Sequence, residues 1–191
     1  MTRRVVKVGG SLLLREDLVS SLSHWMEAQS PSETLIVVGG GRLIDAVREL
    51  DRLRPDDPEA VHWTCVELLN ATGRMLARWF EWPCVESQAA CSELLATQRW
   101  SQETAVVLPT AFYHADVNPT AISLPHDWRT TTDSIAGLLA CLAGADELVL
   151  LKTCDVDVTR SLTQLAADEI VDSALPGIEK HLPRVRVERL I

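Results

Sequence analysis

Two short apolar runs each break off into glycines and then into a helix, and this repeated strand–glycine–helix unit constrains the fold more than any other feature. The first is RVVKVGGS at 4–11, where Val5, Val6 and Val8 favour a buried strand and Gly9 and Gly10 permit a tight turn. LLLREDLVSSL follows with the pattern of a helix start. The second is TLIVVGGGRLIDAVR at 34–48, with Leu43, Ile44 and Val47 on one face of its helix. Later, TTTDSIAGLLACLAGADELVLLKTCDVD at 130–157 reads as a helix capped by Asp133 or Thr132, ended by Gly144, and then a strongly apolar strand. This alternation predicts an α/β fold: a mostly parallel central sheet covered by helices on both faces, a three-layer αβα sandwich.

The glycine turns also suggest chemistry. Backbone N–H groups at a strand-to-helix turn form an anion site, and Lys7, two residues before Gly9, suits that site to phosphate. An ordinary glycine turn has the same local sequence, so one such unit decides nothing; two in the first quarter of the chain make coincidence a poor explanation. Neither unit has the GxxxxGK[ST] of a P-loop or the GxGxxG of a dinucleotide site, so another phosphate-handling fold is required. Ligands of open α/β sheets bind outside the carboxyl ends of the strands. Lys7, both glycine turns and the group Lys152, Thr153, Asp155 and Asp157 all fall at such ends, and they are expected to converge.

At 191 residues the chain is expected to be a single domain spanning 1–191. A net charge of −9 argues against nucleic acid as a main partner, which needs a basic footprint. No run reaches the ~20 apolar residues of a membrane span, and a polar lysine interrupts the N-terminal apolar stretch, so neither membrane attachment nor a signal peptide is expected, and a cytoplasmic location is. Five scattered cysteines (65, 84, 91, 141 and 154) form no CxxC pair, and the five histidines have no ligand spacing, so no protein-held metal site is expected.

Between these segments, PDDPE at 55–59 starts a long helix from Ala60 to Phe80, with Val66, Leu69, Leu76 and Phe80 near one face. Gly73 inside it costs about 1 kcal/mol against alanine, which points to a close approach by another element or a ligand. Trp63, Trp79, Trp82, Trp100 and Trp128 either stack on a flat substrate or pack in the core. PCVE (83–86) and TAVVLP (104–109) read as strands around a helix from Ser87 to Thr97. The loop-rich stretch from Ala111 to Thr130 has the length of a substrate or lid segment, with a candidate strand at Thr120–Leu124. The tail reads as a helix at Leu162–Ile170, a turn at Pro176–Gly177, and a last strand after Lys180.

Taken in order, VKVGGS, VVGGGRLIDAV and TTDSIAGLLACLAGADELVLLKTCDVD resemble the amino acid kinase family, whose members include aspartokinase, acetylglutamate kinase, carbamate kinase and bacterial uridylate kinase. The resemblance runs through nearly the whole chain. Within the family, CVELLNATGRMLARWF, VVLPT and HDWRTTTDS look similar to the kinase of methanofuran biosynthesis, which phosphorylates an aminomethylfuran methyl phosphate to its diphosphate.

The resemblance implies ATP and Mg²⁺, a small anionic acceptor and a homo-oligomer. It implies Lys7, Asp133 and Lys180 as catalytic residues, with Asp133 orienting the two lysines. Gly9, Gly10 and Ser11, together with Lys152, Thr153, Asp155 and Asp157, would form the nucleotide site, and Gly39, Gly40, Gly41 and Arg42 the acceptor site. Arg74 and Arg78 are further candidates for anion contact. Phosphoryl transfer needs mostly positioning and neutralisation of charge, and an acceptor that is already an anion needs no general base. One departure stands out: the family's usual DVDG is DVDV here, with Val158 in place of glycine. This leaves open a non-catalytic nucleotide-binding subunit that partners an active homologue; an acyl-phosphate-forming kinase stays open as well, because carboxylate and phosphate acceptors both need a cationic pocket.

Overall fold

The computed structural model describes residues 2–96, 104–115 and 122–191. Its centre is a six-stranded sheet in the order β3-β4-β2-β1-β5-β6, made of β1 (Thr2–Val8), β2 (Ser32–Val38), β3 (Cys84–Val85), β4 (Thr104–Val107), β5 (Glu147–Lys152) and β6 (Arg184–Arg189). Every strand pair among the described residues is parallel. The helices are α1 (Leu18–Ala28), α2 (Arg42–Leu53), α3 (Pro58–Trp79), α4 (Gln88–Ala96), α5 (Thr132–Leu142) and α6 (Leu162–Ala167).

Alternate residues of the valine-rich strands feed two apolar layers, as the period of two demands. Val5, Leu35, Val37, Leu148 and Leu150 face α5, α6 and the first half of α3. Val6, Val8, Ile36, Val149 and Leu151 face α1 and the second half of α3. The three-layer α/β sandwich expected from the alternation is the fold observed.

Local details depart from the sequence reading where side chains find distant partners. After Gly9 the chain makes a short 3-10 helix, Gly10–Leu14, and breaks at an extended Arg15 before α1. Leu12 drops into the core there, and Arg15 pairs with Asp17 and donates to the Leu190 carbonyl. Of the candidate strand at Thr120–Leu124, residues 120 and 121 lie outside the described residues, and 122–124 are not in a strand. Ile122 and Leu124 are nonetheless buried in the first layer. Helix α6 is shorter than predicted, and Lys180 lies in a later 3-10 segment, Leu175–His181. Gly73 behaves as its cost implied: an added Cβ would sit 2.6 Å from Leu108 Cδ2. All five cysteines are free. No helix among the described residues is long and apolar enough to cross a membrane.

The strand order sets the position of the site. The chain leaves β1 toward β2 on one side, and later returns to β5 on the other side of β1. The crevice of an open α/β sheet lies at such a reversal, outside the carboxyl ends of the two strands.

Candidate active site

Lys7 is the penultimate residue of β1, and Lys152 ends β5. In the parallel pairing of these strands Lys7 lies opposite Leu150, so Lys152 is two residues further along the adjacent strand and projects from the same face. Both ammonium groups meet the carboxylate of Asp133, in the first turn of α5. Lys7 Nζ is 2.9 Å from Asp133 Oδ1, and Lys152 Nζ is 2.7 Å from Oδ2. All three side chains are largely buried, at 7%, 13% and 4% exposed for Lys7, Lys152 and Asp133. Burial alone would raise the Asp133 pKa, but the two lysines overcome it and hold the group at about 2. Burial lowers the pKa of Lys152, and the neighbouring Lys7 charge adds to that, against the pull of Asp133. The cluster has net charge +1 before any ligand binds, in a site where charge is weakly screened.

This geometry corrects the expected role of Lys180. Lys180 is exposed on the Leu175–His181 segment, while the second cation on Asp133 is Lys152. A strand-end lysine in register with β1 reaches the acid directly. A lysine beyond the last buried turn does not.

The two glycine turns are packed backbone against backbone. A Cβ on Gly10 would collide with the backbone of Gly41 and Gly39, and one on Gly41 would collide with Gly10; Gly41 also has a φ of 53°. Not every glycine N–H faces the site. That of Gly9 donates to the Leu151 carbonyl at 3.0 Å, and that of Gly39 to the Val8 carbonyl at 2.9 Å, so both extend the sheet. Gly9 is therefore a wall and not the phosphate donor expected. The first N–H bonded back within the 3-10 helix is that of Leu12, to Gly9 O; in α2 it is that of Leu43, to Gly40 O. The N–H groups ahead of these, at Gly10 and Ser11 and at Gly40, Gly41 and Arg42, are the open ends of the two helices.

Two cavities meet at Lys7, Gly10 and Ser11. One, of about 430 Å³, is lined also by Gly9, Lys152, Thr153, Cys154, Asp155, Asp168, Glu169 and Ile170. The Ser11 and Thr153 hydroxyls are 3.4 Å apart across it. Asp155 pairs with Arg189 at 3.1 Å. Asp157 is not in its lining; its carboxylate accepts from the Thr159 N–H and hydroxyl, closing a local turn ahead of an 84% exposed Val158.

The other cavity, of about 250 Å³, lies over the second turn and is lined by Gly39, Gly40, Gly41, Thr130, Thr131, Thr132, one side of α2 and the first half of α3. Arg42 is exposed and outside this lining. Arg48, one α2 turn and a half further on, is within it, with its guanidinium 4.7 Å from the Trp128 ring centre. The Trp128 indole N–H donates to Asp51 at 2.7 Å, tying the 126–131 segment to α2 across the mouth. Trp63 is instead packed with His62, Tyr113 and His126. His62 lines the cavity, bonded to the Tyr113 hydroxyl at 2.9 Å, and burial with the adjacent His126 lowers its pKa, keeping it neutral. The Cys65 thiol in this wall is pushed up to about 11 by burial and is no nucleophile. Arg74 is paired with Glu86 at 2.9 Å, outside both cavities.

Asp172 is the residue that sequence reasoning missed. Neither Asp133 nor Thr132 caps α5. The N-cap residue is Thr131, and its N–H and that of Ser134 donate to Asp172 Oδ2 at 2.8 and 2.9 Å. Burial and the Asp133 charge raise the pKa of Asp172, against the hydrogen bonds it accepts.

In the larger cavity two lysines and the N–H groups of Gly10 and Ser11 lie together, a set of donors suited to phosphate oxygens. Among the described residues no group of three or more His, Cys, Asp or Glu side chains is arranged to hold a metal ion. Mg²⁺ commonly binds through substrate phosphates, water and one or two carboxylates, and Asp155 and Asp168 line this cavity.

Comparison with known proteins places the fold and the family. The chain is similar in structure to UMP kinase from Ureaplasma parvum, with a TM-score of 0.63 at 17% identity, covering 99% of this chain and 90% of that one. It is similar also to uridylate kinase from Archaeoglobus fulgidus, with a TM-score of 0.62 at 17% identity, covering 98% and 91%. At such identities the likeness is one of fold. No curated protein matches the chain. The sequence profile of the amino acid kinase family, however, matches residues 2–172, a span that takes in both glycine turns, the Lys7–Asp133–Lys152 cluster and Asp172. By that match the chain belongs to the amino acid kinase family.

Proposed function

We propose that this protein transfers the γ-phosphoryl group of ATP to a small anionic acceptor, with the larger cavity as donor site and the glycine-lined cavity as acceptor site. The observation that carries this reading is their junction: both cavities open onto Lys7, Gly10 and Ser11, beside a carboxylate that holds two buried lysines. An acceptor oxygen attacks the γ-phosphorus in line as the bond to the β,γ-bridging oxygen breaks. Lys7, at the junction, faces the phosphoryl group in flight, and Lys152 faces the donor phosphates. The N–H groups of Gly10, Gly40 and Gly41 supply further fixed positive ends. Asp133 fixes both lysines and takes no proton. Mg²⁺ arriving with ATP neutralises phosphate charge.

The acceptor reading is an aminomethylfuran methyl phosphate, converted to its diphosphate. Its support is the chemistry of the smaller cavity. N–H groups there face an anion, the Trp128 indole offers a face to a flat ring, and Asp45 in the lining, held only at 3.6 Å by Arg48, offers a partner to an amine. Cytoplasmic location, one domain over 1–191 and self-association belong to the same proposal; Leu43, Leu50 and Leu53 of α2, 45%, 66% and 62% exposed, support the last.

The test is ADP release from Mg·ATP with separate additions of the aminomethylfuran phosphate, UMP, acetylglutamate, aspartate and carbamate. Turnover with a phosphate acceptor is expected. Turnover restricted to carboxylates would establish the acyl-phosphate reading instead. No turnover of any acceptor, together with no measurable ATP binding, would favour the non-catalytic partner instead, the reading to which Val158 in place of glycine points.

A further inference from the structure

We infer that Asp172 is a positioning residue that couples occupation of the donor cavity to the shape of the acceptor cavity. This rests on the nucleotide reading of the donor site. The segment that carries Asp172 begins in that site: Asp168, Glu169 and Ile170 line the donor cavity. Glu169 holds a φ of 58°, so a non-glycine residue sits in the left-handed region at the turn out of α6.

Two residues on, the carboxylate of Asp172 grips the start of α5. Oδ2 accepts from the Thr131 N–H (2.8 Å), the Thr131 hydroxyl (3.0 Å) and the Ser134 N–H (2.9 Å). Oδ1 accepts from the Ser134 hydroxyl and, at 3.0 Å, from the Leu175 N–H. The Asp172 N–H donates in turn to Asp133 Oδ2 at 3.2 Å, and the Ala174 N–H to the Arg129 carbonyl at 3.1 Å. Thr131, at the far end of two of these bonds, lines the acceptor cavity with its chain neighbours Thr130 and Thr132.

Asp172 thus touches the acid between the two lysines and the acceptor-side threonines, from a segment whose other end is donor-cavity wall. No ion pair to it exists among the described residues, although it is largely buried. A serine or asparagine would cap the helix at less desolvation cost. A carboxylate taking five donors, four from the start of α5 and one from Leu175, holds them in one geometry. Movement of 168–170 around a bound nucleotide is passed to Asp133 through the Asp172 N–H and to the start of α5 through its carboxylate.

The test is hydrogen–deuterium exchange of the full chain with and without saturating Mg·ADP, for wild type, Asp172→Asn and Ser134→Ala. In wild type, Mg·ADP slows exchange in 166–172 and also, by at least about fivefold, in 129–136, the lower end of ordinary coupling. Asp172→Asn keeps the first effect and loses the second, and Ser134→Ala weakens the second in part. A merely structural Asp172 would change the ligand-free exchange of 129–136 and leave the ligand-induced ratio intact; that result overturns the inference, as does wild-type protection confined to 166–172. Should Asp172→Asn fail to fold, Ser134→Ala decides alone, and an undiminished ratio in it overturns the coupling. Absence of Mg·ADP binding to the wild type overturns the nucleotide reading and this inference together, whereas binding without coupling overturns only the inference.

Discussion

Three side chains with opposed electrostatic needs set the residue scale. Lys7 and Lys152 repel each other, and Asp133 makes their approach tolerable. Lys7→Ala and Lys152→Ala are each expected to lower turnover at least ~10²-fold in a folded protein, the effect of losing one preorganised charge contact, while Lys180→Ala stays within about twofold. Steady-state kinetics with circular dichroism on the three variants checks this. Asp133→Asn leaves two buried cations without their anion and is expected to cost about 3–5 kcal/mol in urea unfolding as well as turnover.

The pH dependence follows from the same cluster. The pKa of Asp133 is depressed to about 2, so its contribution to stability is full above the ordinary value of 3.8 and is lost as pH falls from there through 2. Lys152 is also depressed, so its charge, and with it turnover, is lost at lower pH than for an ordinary lysine at 10.5. The expected outcome is an alkaline limb in the kcat profile that moves to higher pH in Lys152→Arg.

At the scale of elements, the joined glycine turns are the part least able to change. Gly10 meets the backbone of Gly39 and Gly41, which has no side-chain freedom with which to yield. Gly10→Ala is expected to force the turns apart, lowering turnover by more than ~10²-fold and stability by about 1–3 kcal/mol. Gly73 meets only the end of the buried Leu108 side chain, so the helix propensity gained by Gly73→Ala partly offsets the clash. Thermal melting of the two variants, with Gly10→Ala the lower, is the comparison.

At the scale of the whole molecule, α2 is anomalous. It buries no residue, although apolar positions recur along it, and Leu50 and Leu53 are more than half exposed. One side of the helix serves the acceptor cavity through Ile44, Asp45 and Arg48, and the outward leucines face solvent in the single chain. Sedimentation velocity is expected to show a species larger than the 21.1 kDa chain. Leu50→Glu combined with Leu53→Glu is expected to reduce it to that mass.

Most of the strands, the glycine turns and the places of Lys7 near a strand end and Asp133 in the first turn of a helix were legible in the sequence because each rests on local physics. A β-branched run favours a strand, paired glycines permit a close turn, and an acid in the first turn of a helix stays ionised. What touches that acid was not local. Lys152 replaces Lys180 because β5 lies beside β1 in a register that sets Lys7 opposite Leu150, and no stretch of sequence records the pairing of strands 140 residues apart. The same holds for Arg48 against Arg42, for Trp128 against Trp63, and for a Gly9 N–H taken by Leu151. Asp172 shows the division most plainly: nothing in its own stretch of sequence marks it, and only the return of the chain against α5 turns it into the cap of a helix about 40 residues earlier. Local propensity determined which elements form and which residues end them, and long-range packing decided which of those ends meet.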